Sequence, residues 1–320
     1  MPSYDKLPSG KWRGRARLDG KVVSVTCETR RECVKRLEDR LHVKNGKMTV
    51  GEAIRQYIET RENLFSPATV YSYDSIARNR LLDLQQRRLD ELTETMVTQA
   101  LNEEAKTHSP KTVSNVWGLL HSALLPYVPV DAWHIRLPQQ KKKEPYIPTP
   151  EEVDDLLKRA VGTVYEIPLK LAAFCGLRRS EICALTYDDI KDGYIYISKA
   201  LVRDRNNVYR LKPPKTEAGY RRLKLPENIK IEGSGPERIT TLTPLAISQK
   251  CRKLANEKFS FHDLRHFYAS VLLQLGIPNK YSAKQMGHKG DRMLKVVYQH
   301  LFDASQAEFD AEVAKKVSEM

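Results

Sequence analysis

Between Lys47 and Leu137, apolar residues recur at steps of three and four, the spacing of one buried helical face. Thr49 and Glu52 form a capping box ahead of Val50, Ala53, Ile54, Tyr57 and Ile58. Ser66-Pro67 has the N-cap and N1 chemistry of a second helix, which carries Val70, Tyr73, Ile76 and Ala77. A third helix is predicted from Thr93 to about Ala105, with Met96, Val97, Ala100 and Leu101 on its apolar face. Ser109-Pro110 opens a fourth, with Val113, Val116, Trp117, Leu120 and Leu124, where Trp117 reads as a core residue. Four such helices predict a compact helical domain over 46–137.

The first residues follow a different period. In Lys11 to Leu18, strict alternation puts Arg13, Arg15 and Arg17 on one strand face and Trp12, Ala16 and Leu18 on the other. Asp19-Gly20 is a hairpin turn, Lys21 to Thr26 the return strand, and Thr29 with Glu32 a capping box for a helix to about Leu41. A small sheet on one helix is therefore expected over 1–45. Its arginine row suits either a solvated face or DNA contact, since a β-ribbon fits the major groove. A Pro-flanked linker, 138–148, carries Lys141, Lys142 and Lys143; it reads equally as a solvated tether or as a strip along a phosphate backbone.

From Thr149 to Asp303 helices dominate again, opened by the N-cap, N1-proline and capping box of Thr149-Pro150-Glu151-Glu152. Short strands are predicted near Tyr194–Lys199, Tyr209–Lys212 and Arg221–Lys224, with turns at Asp192-Gly193 and Asn206-Asn207. In the tail, 304–320, Phe309, Val313 and Val317 make a narrow apolar stripe suited to docking in cis or on a neighbouring protomer. The expected fold is mainly α with small β-sheets (α+β), in three domains.

Composition narrows the function classes. The chain has 320 residues, 41% of them hydrophobic, and a formal net charge of +14, which favours a polyanionic partner. No apolar run is long enough for a membrane span and Met1 to Gly20 lacks an apolar signal segment, so no membrane partner and a cytoplasmic location are expected. The five cysteines, Cys27, Cys33, Cys175, Cys183 and Cys251, form no CxxC pair; they read as reduced, mostly buried thiols, and no metal site is expected.

The polar residues of the last block are ordinary one at a time. Arg178 and Glu181 stand at i, i+3 in Cys-Gly-Leu-Arg-Arg-Ser-Glu, the spacing of many surface ion pairs. Lys215 begins Lys-Thr-Glu-Ala-Gly-Tyr-Arg, a turn entering a strand, and His262 and Arg265 share a helical face in His-Asp-Leu-Arg-His. Met286-Gly287-His288 sits at a helix end, and Tyr298-Gln299-His300 follows. In sequence order, GLRxSE, KTxxGxR, HxLRH, (L/M)GH and YxH together resemble the tyrosine recombinase (phage integrase) family, over roughly Tyr146 to Asp303. More loosely, the helical block resembles that family's core-site-binding domain, and the first block its three-stranded arm-site-binding domain. Met286 in place of leucine, and Phe267-Tyr268 after the HxLRH segment, are small departures that touch no catalytic position.

The resemblance implies roles. Tyr298 would be the nucleophile, His262 its base and Lys215 the general acid. Arg178, Arg265 and His288 would bind the scissile phosphate. Glu181 would orient the arginine and histidine side chains. Arg179, adjacent to Arg178, would point elsewhere and meet DNA or solvent. His266 and His300 would be structural or hydrogen-bonding. A phenol of pKa about 10 is only roughly 0.1% ionised at neutral pH, so a neighbouring base helps. No cofactor is expected: the chain offers neither a Walker loop nor a carboxylate cluster for Mg²⁺. The implied activity is integration or excision of a mobile element, a prophage or conjugative transposon, through a 3′-phosphotyrosyl intermediate. Implied partners are double-stranded DNA at core and arm sites, a homotetramer on synapsed DNA, an excisionase and a host DNA-bending protein, in a nucleoid-associated setting in a bacterial host. A type IB topoisomerase-like relaxing activity, chromosome-dimer resolution and a non-catalytic DNA-binding regulator stay open as alternatives.

Overall fold

The computed structural model describes residues 2–18, 21–45, 48–140, 145–214 and 217–287. It combines helices with small antiparallel sheets. The chain divides into two compact units, residues 1–141 with 204–206, and residues 142–203 with 207–320.

The first unit holds two separate apolar clusters. In the smaller, strands β1 (Ser3–Lys6), β2 (Trp12–Leu18) and β3 (Lys21–Cys27) form an antiparallel sheet in that order, with helix α1 (Arg30–Asn45) packed on it. Register pairs Trp12 with Cys27, Gly14 with Val25 and Ala16 with Val23, so these positions face one way. Ala16, Val25 and Cys27 bury against Cys33 and Leu37 of α1. The opposite face carries Arg13 and Arg15, across from Thr26 and Ser24. Arg15 is exposed and ion-paired to Asp5 at 2.5 Å. The Arg17 side chain and the Asp19-Gly20 turn lie outside the described residues.

The larger cluster is built by helices α2 (Val50–Glu59), α3 (Pro67–Asn79), α4 (Leu82–Gln85), α5 (Glu94–Thr107) and α6 (Pro110–Leu124). Each long helix begins where its cap residue predicts. Thr49 Oγ1 accepts from the Glu52 amide, Ser66 from Thr69, Thr93 from Met96 and Ser109 from Thr112. Trp117 is half-buried against this core. The four-residue α4 was not expected; one turn is too short to show a helical period.

In the second unit, α7 (Pro150–Ala160) starts at the Thr149–Glu152 capping box and is followed by α8 (Glu166–Cys175) and the one-turn α9 (Arg179–Ile182). Strands β4 (Ile190–Lys191), β5 (Tyr194–Ile197) and β8 (Arg221–Lys224) make an antiparallel sheet, while β6 (Ala200–Arg203) and β7 (Tyr209–Lys212) form a separate ribbon. Asp192-Gly193 joins β4 to β5 as a two-residue hairpin. Sequence reasoning expected β5, β7 and β8 but neither β4 nor β6. Helices α10 (Pro244–Leu254), α11 (Asp263–Gln274) and α12 (Asn279–Gln285) follow among the described residues. Ile195, Ile197 and Leu223 turn inward onto a core that includes Leu156, Leu171, Leu177, Ile182 and Leu264. All five cysteines are free and buried. Among the described residues no helix is long and apolar enough to cross a membrane.

Candidate active site

The site is assembled where α8 ends. Gly176 closes that helix with φ +61, and a Cβ there would lie 2.3 Å from the Tyr268 ring, so both backbone and space demand glycine. The chain then turns outward and Arg178 takes the extended position before α9. Its amide is an unpaired donor at a helix start, and Glu181 reaches back to accept it at 2.9 Å. The same carboxylate accepts from Arg178 Nη1 at 2.7 Å.

Two further arginines arrive from distant segments. Arg265, on the first turn of α11, is 2% exposed and donates to the carbonyls of Gly176 and Met286. Arg221, at the start of β8, donates to both oxygens of Glu181, at 3.1 and 2.8 Å, and through Nε to the Gln285 carbonyl at 2.7 Å. Arg178 Nη2 donates to Gly287 O at 3.0 Å. Three successive carbonyls, 285 to 287, therefore each take one of the three arginines. Gly287 has φ +61, and a Cβ there would come within 2.9 Å of Arg221 Nη1.

Arg178 and Arg265 border a cleft of about 500 Å³, together with Arg179, Ser248, Arg252 and His262. None of its lining residues is acidic. Arg179 donates to Ser248 Oγ at 2.8 Å. Arg178 and Arg179 both border the cleft but bond different partners, Glu181 and Gly287 O for Arg178 and Ser248 Oγ for Arg179. Glu181 was expected to orient the arginine and histidine side chains of the site. It holds two arginines, and among the described residues no hydrogen bond joins it to a histidine.

Electrostatics follow from this packing. Burial alone would raise the Glu181 pKa, but the Arg221 and Arg178 guanidinium groups override it and hold the carboxyl at about 2. Burial first, and then the Arg178 charge, push Arg265 down from the usual arginine value. His262 is exposed to solvent at the cleft, yet loss of hydration and the Arg265 charge hold its pKa below the ordinary 6.5. It is therefore ready to accept a proton near neutrality. His266 packs edge-on to it, with ring centroids 4.9 Å apart, and burial lowers its pKa to about 4. Burial pushes the Cys175 thiol up to about 12, as befits a core residue.

The cleft thus brings Arg178, Arg265, His262 and Arg179 together. Fixed cations beside a neutral imidazole, with no acid on the wall, suit an oxyanion such as a phosphodiester. Lys215, His288, Tyr298, His300, Lys141, Lys142 and Lys143, and the 304–320 tail, lie outside the described residues. Sequence reasoning gave Arg221 no role. The signal was present: alternation in β8 buries Arg221 and Leu223 and exposes Arg222 and Lys224.

Comparison with known proteins gives a consistent picture. The sequence model of the phage integrase family matches residues 146–305. A tyrosine recombinase of Pseudothermotoga lettingae is 28% identical over 188 residues, covering 55% of this chain and 63% of that curated relative's length. Among solved structures, the Tn1549 transposon integrase in complex with a circular intermediate DNA matches with TM-score 0.63 at 19% identity, over 82% of this chain and 99% of that one. A lambda integrase tetramer bound to a Holliday junction matches with TM-score 0.60 at 18% identity, over 92% and 94%. At these identities the structural likeness is one of fold.

Proposed function

This chain belongs to the phage integrase family, and on that premise we propose that it is a site-specific tyrosine recombinase that integrates or excises a mobile element. The observation that carries the reading is the meeting of Arg178, before α9, with His262 and Arg265, at the start of α11, on one acid-free cleft.

The chemistry is a transesterification. Tyr298 Oη attacks the scissile phosphorus while its proton passes to His262. The bond from phosphorus to the 5′ oxygen breaks, and Lys215 protonates the departing oxygen. Arg178, Arg265 and His288 hold the non-bridging oxygens, where charge concentrates in the transition state. The product is a 3′-phosphotyrosyl link and a free 5′ hydroxyl. Because the ester bond is conserved, a 5′ hydroxyl from a second strand reverses the step and exchanges strands without ATP.

The substrate is double-stranded DNA bearing paired core sites and arm sites, the latter met by Arg13, Arg15 and Arg17. The +14 charge supports that choice. Lys141, Lys142, Lys143 and Arg179 add backbone contacts. Four protomers act on two sites, with residues 304–320 reaching between protomers; an excisionase and a host DNA-bending protein set direction. The enzyme works in the bacterial cytoplasm at the nucleoid. The Tn1549 and lambda integrases in the matched structures are bound to a circular intermediate DNA and a Holliday junction, which supports this class of substrate.

The test is recombination between two plasmid-borne attachment sites from the flanks of the encoding element. Exchange of flanking markers is expected. Relaxation of supercoils with no exchange would instead assign a type IB topoisomerase-like activity.

A further inference from the structure

We infer that Arg221 is a positioning residue that acts as the counter-ion of Glu181, so that Glu181 can aim Arg178 without cancelling its charge. The inference rests on the strand-cleavage reading above.

The geometry supplies the argument. Glu181 accepts four hydrogen bonds, from Arg178 N and Nη1 and from Arg221 Nη1 and Nη2. Four is the acceptor capacity of a carboxylate, so neither arginine is held by default. One negative charge faces two positive ones, and with Arg265 three. The two guanidinium groups differ in access. The Arg178 side chain is 36% exposed and borders the cleft, whereas that of Arg221 is 2% exposed and does not. Arg221 therefore cannot touch the phosphate. It neutralises Glu181 from behind, and the positive charge left over belongs to Arg178 and Arg265, the two that reach the cleft.

Shape matters as well as charge. Arg221 spends Nη1 and Nη2 on Glu181 and Nε on Gln285 O, with Gly219 O 3.3 Å from Nη1. A planar fork with five donors serves all of these at once; a lysine ammonium keeps the counter-charge, the larger part of the effect, and reaches only some of them. Without Arg221, Glu181 loses its buried counter-ion, and its whole negative charge falls on Arg178, already bonded to it at 2.7 Å, offsetting the positive charge that faces the cleft.

The test measures formation of covalent protein–DNA adduct on a nicked suicide substrate for wild type, Arg221→Met, Arg221→Lys, Glu181→Gln and Arg221→Met with Glu181→Gln. Arg221→Met is expected to slow adduct formation by roughly 10²-fold or more, the scale of losing one transition-state donor. The double variant is expected to be faster than Arg221→Met alone, because removing the carboxylate removes the stranded charge. A purely structural role moves stability and adduct formation in parallel, because relieving a stranded buried charge also restores the fold; a positioning role predicts that Arg221→Met stays slow at temperatures well below its own melting transition. Arg221→Lys keeps the charge and carries the comparison if the methionine variant does not fold. It is expected within about tenfold of wild type, and a loss near 10²-fold overturns the inference. A double variant no faster than Arg221→Met overturns it too. Wild type forming no adduct overturns the cleavage reading and this inference together; adduct from wild type with the wrong variant order overturns the inference alone.

Discussion

Glu181 and Arg221 are joined as an ion pair between two buried side chains, 7% and 2% exposed, with Arg221 Nη2 2.8 Å from Glu181 Oε2. A pair this enclosed is costly to break from one side. Glu181→Gln strands the Arg221 charge and is expected to cost about 3–5 kcal/mol of stability at neutral pH. The pH dependence has a defined sign. The Glu181 pKa is depressed in the fold, from 4.5 to about 2, so its contribution is complete above the ordinary carboxyl value and fades as pH falls toward 2. Melting curves of both proteins between neutral and acid pH should show a gap that narrows below about pH 4.5; a gap independent of pH would mean Glu181 is not ionised in the fold.

Arg178→Lys and Arg265→Lys preserve charge but lose the planar fork. Each is expected to slow single-turnover cleavage by roughly 10²–10³-fold, the range seen when one preorganised donor is lost. DNA affinity should change far less, since it is set by many phosphate contacts. Equal losses in binding and cleavage would place these arginines in general DNA contact rather than at the scissile phosphate.

How much of this was legible in the sequence depends on range. Caps are local: Thr49, Ser66, Thr93, Ser109 and Thr149 each announce a helix within three residues, and all five helices begin there. The Asp192-Gly193 turn is equally local. The two-residue β4 and one-turn α4 are too short to carry a period. Arg221 closes the KTxxGxR segment yet carried no assigned role, for a different reason. An arginine at a strand start reads as a surface group, and the carboxylate that buries it lies 40 positions earlier in the chain. Only the fold brings those two segments together, and the turn at 285–287 joins them from 64 positions later.

His262 is held below its usual pKa of 6.5 by lost hydration and by the Arg265 charge, so the neutral imidazole persists into mildly acid solution. The rate of adduct formation should therefore fall only below pH 6.5, on an acid limb that disappears in His262→Ala. That variant should also be slower at neutral pH by about 10²–10⁴-fold, the usual contribution of a general base. An unchanged acid limb in His262→Ala would assign the base to another group.

Gly176→Ala combines a φ of +61 with a Cβ 2.3 Å from the Tyr268 ring. A cost of about 1–3 kcal/mol from backbone strain, plus the displacement of Tyr268, is expected in chemical denaturation. Cleavage should fall with it, because the Gly176 carbonyl is a partner of Arg265. A stability within experimental error of wild type would show that this helix end relaxes without penalty.

The central claim is that the chain cuts DNA through Tyr298, and a suicide substrate tests it most directly. A nick beside the scissile phosphate lets the short fragment bearing the freed 5′ hydroxyl diffuse away and traps the covalent intermediate. Wild-type protein is expected to form a protein–DNA adduct that survives denaturing electrophoresis, and Tyr298→Phe none. An adduct that persists in Tyr298→Phe would contradict the account and assign the nucleophile to another residue.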